Sequence, residues 1–157
     1  MYLAKYLDEI NVGDRVKIAK TVTEADAALY AASTGDFGPV HFDEAYAAET
    51  RFGKRLAPGI MVAGIATSVL TSQLVGIYGV SIEDRFWFTG PVAYGDTLTV
   101  SIWVAGKNEA DRTVQWQASA VNQDGKEVLR VEAVLKFPRA AAHRPGNGGS
   151  APAGSGV

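Results

Sequence analysis

From Gly59 to about Val75 the chain runs without a single charged residue. Ile60, Met61, Val62, Ala63, Ile65, Ala66, Val69, Leu70 and Leu74 fall all round a helix rather than on one stripe. A helix apolar on nearly every side is stable in water only when other elements bury most of it. Gly64, Thr67, Ser68, Thr71 and Ser72 draw a narrow line of small residues along it, where another backbone can come close. The rest of the chain must therefore supply a wide apolar cover.

That cover is predicted downstream, where the hydrophobic period changes to two. Leu98, Val100, Ile102 and Val104 alternate with Thr97, Thr99, Ser101 and Trp103. Val114, Trp116, Ala118 and Ala120 form a second such run, and Leu129, Val131, Ala133, Leu135 and Phe137 a third. Asp124-Gly125 between the last two is a hairpin turn signal. An aromatic-rich strand is expected over Ile82 to Phe88, and an earlier one over Val12 to Thr21 after the Gly13-Asp14 turn. No helix separates the later strands, so the sheet is expected to be antiparallel. A helix should start at Thr23, with Asp26 as its capping partner, and stop near Gly35. A second short helix should begin at Asp43. The predicted class is α+β: an antiparallel sheet curled around a long buried central helix, the hot dog arrangement, with a generic α+β roll as the other packing of the same elements.

Composition narrows the function. Hydrophobic residues make up 47% and charged residues 20% of 157, ordinary for a globular domain. A net charge of −2 offers no basic face for nucleic acid. Cysteine is absent, which removes disulfides, thiolate metal sites and cysteine nucleophiles. With two histidines, His41 and His143, a multi-histidine metal site is not expected. The N-terminal residues lack the apolar core of a signal peptide, and no apolar stretch is long enough to span a bilayer, so a cytoplasmic protein is expected. Residues 1–138 are read as one domain. The Gly/Ala/Pro-rich residues 139–157 hold too little apolar surface to offset ordering and are read as a disordered tail.

Chemistry is concentrated in Thr34-Gly-Asp-Phe-Gly-Pro-Val-His-Phe-Asp-Glu44. Gly35 should end the first helix, and Pro39 bars Gly38 from helical geometry, so Asp36 to His41 reads as a loop between two helix ends. Such a loop can bring a carboxylate and an imidazole to one small volume and polarise a water held between them. The nearby helix start disfavours imidazolium, whereas an ionised Asp36 favours it; a neutral His41 at neutral pH is the expectation. The competing reading is structural. Gly-Asp occurs three times, at 13–14, 35–36 and 95–96, and the other two fit simple turns. A lone histidine also serves often as a structural donor.

Gly35-Asp36-Phe37-Gly38-Pro39-Val40-His41, followed by Ala57-Pro58-Gly59-Ile60-Met61, resembles the MaoC-like hydratases, especially the R-specific enoyl-CoA hydratases. Phe88-x-x-Pro91-Val-x-x-Gly95-Asp96 resembles the family's strand junction, and the similarity runs from about Val12 to Pro138. The resemblance implies a hot dog fold, a homodimer, double-hot-dog unit or higher homo-oligomer, and hydration of a trans-2-enoyl-CoA or acyl-carrier thioester to the (R)-3-hydroxyacyl thioester. It assigns water activation to Asp36 and His41 and the thioester oxygen to the Gly59 N–H. Pro39 and Thr67 are implied as supports, Thr67 through a hydroxyl near the aspartate, though it also fits as a small core residue. No cofactor or metal is implied; coenzyme A or the carrier belongs to the substrate. Gly38 stands where the family usually has Asn, which implies a looser site, lower activity or a wider substrate range. Pro58 replaces a common His.

Arg51, Lys54 and Arg55 form a basic cluster that could meet coenzyme-A phosphates or simply line a solvated loop. Phe37, Phe42, Phe52 and Tyr78 are acyl-pocket or core aromatics. The alternatives to hydration are a hot dog thioesterase and a catalytically weakened thioester-binding partner subunit.

Overall fold

The structure is a computed structural model that describes residues 5–76 and 78–139. The expected tail thus lies outside the described residues, apart from exposed Arg139.

Strand β1 (Arg15–Thr21) is followed by helices α1 (Glu24–Thr34), α2 (Pro39–Phe42), α3 (Glu44–Glu49) and α4 (Gly59–Val69). A π-helical turn, Leu70–Leu74, continues α4. Strands β2 (Val80–Phe88), β3 (Thr97–Asn108), β4 (Thr113–Val121) and β5 (Glu127–Lys136) complete the chain. The five strands form one antiparallel sheet in the order β1-β3-β4-β5-β2.

The alternation becomes a one-sided sheet. Leu98, Val100, Ile102 and Val104 of β3, Val114, Trp116, Ala118 and Ala120 of β4, and Leu129, Val131, Ala133 and Leu135 of β5 are buried on one face. Met61, Val62, Ala63, Ala66 and Val69 bury the facing side of α4 against it. Each larger aliphatic side chain removed from water contributes about 1.5–3 kcal/mol. This shared core therefore outweighs the weak β-propensity and helix-propensity preferences of the individual segments.

Strand β3 runs four residues past the predicted alternation. Its register slips between Val104 and Gly106, where a Cβ on Gly106 would come within 2.7 Å of Gln115 Oε1. A glycine inside a strand marks such a bulge.

The central helix is covered by the sheet and in part by α1, and one side stays open. Ile60 is 56% exposed, Gly64 and Ser68 are exposed, and open space surrounds the point where a Gly64 Cβ would stand. Beside this small-residue strip lies β2, an edge strand exposed along nearly its whole length.

Candidate active site

Local signals place the ends of the segment. The Thr23 side chain accepts from the Asp26 N–H at 3.2 Å, and the Asp26 carboxylate accepts from the Thr23 N–H at 2.9 Å, the reciprocal capping box that starts α1. Gly35 ends it in the left-handed conformation at φ 77°, which a glycine adopts without steric cost. Asp43 caps α3 by accepting from the Tyr46 N–H at 3.0 Å.

Between these caps the expected loop is partly helical. Pro39 to Phe42 closes one turn, with the Asp43 N–H bonded to the Pro39 carbonyl at 2.9 Å. The correction has a plain cause: proline is pre-set for the first helical position, and the restriction it imposes falls only on Gly38. Gly38 is indeed extended, at φ −52° and ψ 132°. The turn aims the His41 ring back toward Asp36. A Cβ placed on Gly38 would lie 3.4 Å from Asp36 Oδ1, 3.2 Å from His41 Cδ2 and 3.7 Å from His41 Nε2. The carboxylate and the imidazole thus flank one point, as the spacing suggested.

The imidazole is held from behind. His41 Nδ1 lies 2.7 Å from the Leu56 carbonyl. A carbonyl only accepts, so Nδ1 carries the proton and Nε2 faces the Gly38–Asp36 side. The Leu56 N–H returns a bond to the Val40 carbonyl at 3.1 Å, and the Tyr94 hydroxyl donates to the His41 carbonyl at 3.0 Å. Asp36 is less engaged: its Oδ1 accepts from the Gly38 N–H at a long 3.3 Å. Its carboxylate has no other hydrogen-bond partner among the described residues.

Gly38 is a tighter position than its lack of a side chain suggests. An added Cβ would stand 3.2 Å from the His41 ring, closer than ordinary contact, so the ring would have to shift slightly. The glycine does not leave a void there.

Gly59 is the first residue of α4 behind Pro58, so its N–H has no intrahelical acceptor. It lies three positions after Leu56, a reach of at most about 11 Å. A Cβ on Gly59 would stand 3.2 Å from the Phe88 ring, which explains the glycine. One residue further on, Ile60 opens a cleft of about 340 Å³ that continues past Ala63, Gly64 and Thr67 to Phe86 and Leu135. Thr67 therefore lines this cleft, while its hydroxyl donates to the Gly64 carbonyl in its own helix at 3.1 Å.

The weaker candidates scatter. Phe37 is 64% exposed, its ring 5.7 Å from Phe42. Phe52 sits under the Arg51 guanidinium at 4.7 Å, and Tyr78 stacks on Tyr6. None of these four aromatics lines the cleft beside Gly59. The basic cluster also divides. Lys54 is exposed, whereas Arg55 is bound to Glu44 at 2.7 Å and to Glu24, and lies over the Tyr94 ring at 5.4 Å. The Glu24 bond first and the Glu44 bond second raise the Arg55 pKa, and burial raises that of Tyr94. Leu56 and Tyr94 escaped the sequence reading, and Phe88 was read only as a strand end and junction residue: a backbone carbonyl leaves no side-chain signature, and the two aromatics act through tertiary contacts.

A MaoC-like domain matches residues 9–125. The chain belongs to the MaoC-like family. Over 133 residues it is 32% identical to the (R)-specific enoyl-CoA hydratase of Rhodospirillum rubrum, covering 85% of this chain and 92% of that protein. It is 33% identical over 134 residues to the 3-hydroxybutyryl-CoA dehydratase of Methylorubrum extorquens, covering 85% of each. The unliganded R-hydratase of Pseudomonas aeruginosa superposes with a TM-score of 0.78 at 33% identity, again over 85% of each chain. The sheet wrapped on α4 is this family's hot dog fold, and the generic roll is set aside. Among the described residues no helix is long and apolar enough to cross a membrane.

Proposed function

We propose that this MaoC-like enzyme adds water to a trans-2-enoyl thioester of coenzyme A or an acyl carrier, giving the (R)-3-hydroxyacyl thioester, and runs the dehydration in reverse. The observation that carries the reading is the pairing of Asp36 Oδ1 and His41 Nε2 around one point, with the ring tautomer set by Leu56. A water held between the two groups, in front of Gly38, would meet an acceptor on each side. With a neutral His41, the pair removes a proton from the water as its oxygen bonds to C3. The electrons of the C2–C3 double bond move toward the thioester oxygen, and a proton returned by the pair to C2 completes the addition. No electron is gained or lost, so the reaction needs no redox cofactor. Positioned acid–base groups of this kind contribute about 10²–10⁴-fold in rate.

The thioester oxygen gains charge in this step, and the Gly59 N–H at the start of α4 is suited to hold it. From that anchor the acyl chain has the cleft from Ile60 to Leu135 before it. A second copy of the chain is part of the proposal. Strand β2 leaves Val80 66%, Ile82 60% and Phe88 49% exposed on an unpaired edge, beside the open strip of α4. An edge of this length carrying apolar side chains favours strand pairing with a copy of itself. Sedimentation analysis should show a dimer or a higher homo-oligomer.

The direct test is to mix the protein with crotonyl-CoA and follow the conjugated enoyl absorbance. Loss of that absorbance, with (R)-3-hydroxybutyryl-CoA as product on chiral analysis, is the expected result. Free thiol released while the absorbance persists would replace hydration by thioester hydrolysis.

A further inference from the structure

Arg55 looked like a candidate for the phosphates of coenzyme A, but its surroundings give it different work. Its guanidinium joins Glu24 and Glu44, the first residues of α1 and α3. Acidic residues are favoured in a helix's first turn, and Arg55 links two of them. The helices it ties together flank the Asp36–His41 segment: α1 ends at Thr34, and α3 begins three residues after His41. The same guanidinium lies over the Tyr94 ring at 5.4 Å, and the Tyr94 hydroxyl donates to the His41 carbonyl at 3.0 Å. The residue after Arg55 is Leu56, whose carbonyl accepts from His41 Nδ1 and whose N–H reaches Val40. Residues 56–57 are in turn bonded to the segment that bears Tyr94, through the Leu56–Ala93 bridge and the Ala57 N–H to the Val92 carbonyl at 2.8 Å.

We propose that Arg55 and Tyr94 are positioning residues for His41, a clamp that fixes the orientation and tautomer of the imidazole from the side opposite the substrate. The clamp acts on both ends of the residue. Tyr94 holds the His41 backbone carbonyl, Leu56 holds the ring, and Arg55 holds Tyr94 and the peptide that presents Leu56. Arg55 is only 22% exposed along its side chain and has two carboxylate partners, so the guanidinium is already neutralised before any phosphate arrives. Lys54 and Arg51, both exposed and without an ion-pair partner among the described residues, remain the cations of that loop open to an anion. The proposal rests on the hydratase reading for its kinetic consequence, but the state of the ring can be observed without turnover.

Tyr94→Phe deletes one oxygen and keeps the ring under Arg55. Arg55→Lys keeps the charge but loses the planar fork that spans two carboxylates. Both variants are assayed with crotonyl-CoA and with crotonyl-pantetheine, which lacks the nucleotide phosphates. The ¹⁵N shifts of the His41 ring are recorded in parallel, with His143→Gln identifying the resonances. The clamp predicts that kcat falls about tenfold or more in each variant while KM stays within about twofold. The loss should be the same with both substrates, and the ring signals should move from the single Nδ1–H tautomer toward a mixture. Unchanged kcat together with an unchanged ring overturns the proposal. So does a rise in KM for Arg55→Lys confined to the coenzyme-A substrate, which would make Arg55 a phosphate ligand. If the wild type hydrates neither substrate, the hydratase reading fails, and the ¹⁵N comparison alone then decides the clamp.

Discussion

Two Gly-Asp pairs that both turn at a positive-φ glycine hold their carboxylates differently. Gly35 and Gly95 both turn at positive φ, 77° and 90°. After Gly95, the Asp96 carboxylate reaches back to accept from the Ala93 N–H at 2.9 Å, while its other oxygen accepts from Gln123. Asp14 closes its turn in the same backward manner, onto the Asn11 N–H at 3.0 Å. Asp36 points forward instead, toward Gly38, over a long bond beside the His41 ring. A carboxylate with both oxygens engaged, as at Asp96, is committed to holding the backbone around it. One that keeps acceptor capacity beside an imidazole is available for chemistry. The structural reading of Gly-Asp accounts for two pairs, and the third keeps the acceptor capacity that the proposed chemistry needs.

The contrast yields measurable differences. The largest lies at the partner of Asp36: His41→Ala should lower turnover of crotonyl-CoA by about 10²–10⁴-fold, with little change in melting temperature. Retained turnover would leave Asp36 no more than a turn residue. Gly38→Asn comes next. Its Cβ would press on a ring already 3.2 Å away, so kcat should fall about tenfold; a gain instead would show that the ring has room to yield. Asp96→Ala should do the reverse of the His41 change. Loss of two hydrogen bonds at a half-buried carboxylate should destabilise the fold by about 1–3 kcal/mol in denaturant titration, with kcat nearly unchanged.

The smallest effect belongs to Asp26, whose carboxyl is held below the usual aspartate range, chiefly by the hydrogen bond from Lys20. A depressed folded pKa means stability that is present above the unfolded value and lost as pH falls through the folded one. Asp26→Asn should therefore be less stable than wild type at neutral pH, and the gap should close in acid below that value. A gap independent of pH would remove the ionic part of the account.

The same comparison shows which features were legible in the sequence. The Thr23–Asp26 box, the Gly35 stop, the Asp43 cap and the three alternating strands depend on neighbours a few residues apart, and all were readable. Strand order was not, since nothing in β2 states that it pairs with β5 at the edge. At the site, the residue types and spacing of Asp36 and His41 stood out, but not their convergence, which depends on the one-turn helix that Pro39 starts. Arg55 read as part of a basic run because its two carboxylates lie 31 and 11 residues away. Tyr94 meets His41 across 53 residues, a distance at which one sequence carries no pairing information.

The central claim is that Asp36 activates water rather than closing a turn. The most direct measurement compares wild type and Asp36→Asn in the hydration of crotonyl-CoA, with thermal unfolding recorded on the same samples. The account predicts that the amide, which keeps the shape and loses the basic oxygen, abolishes about 10²-fold or more of kcat while the unfolding temperature stays near that of wild type. Wild-type turnover in Asp36→Asn would contradict it.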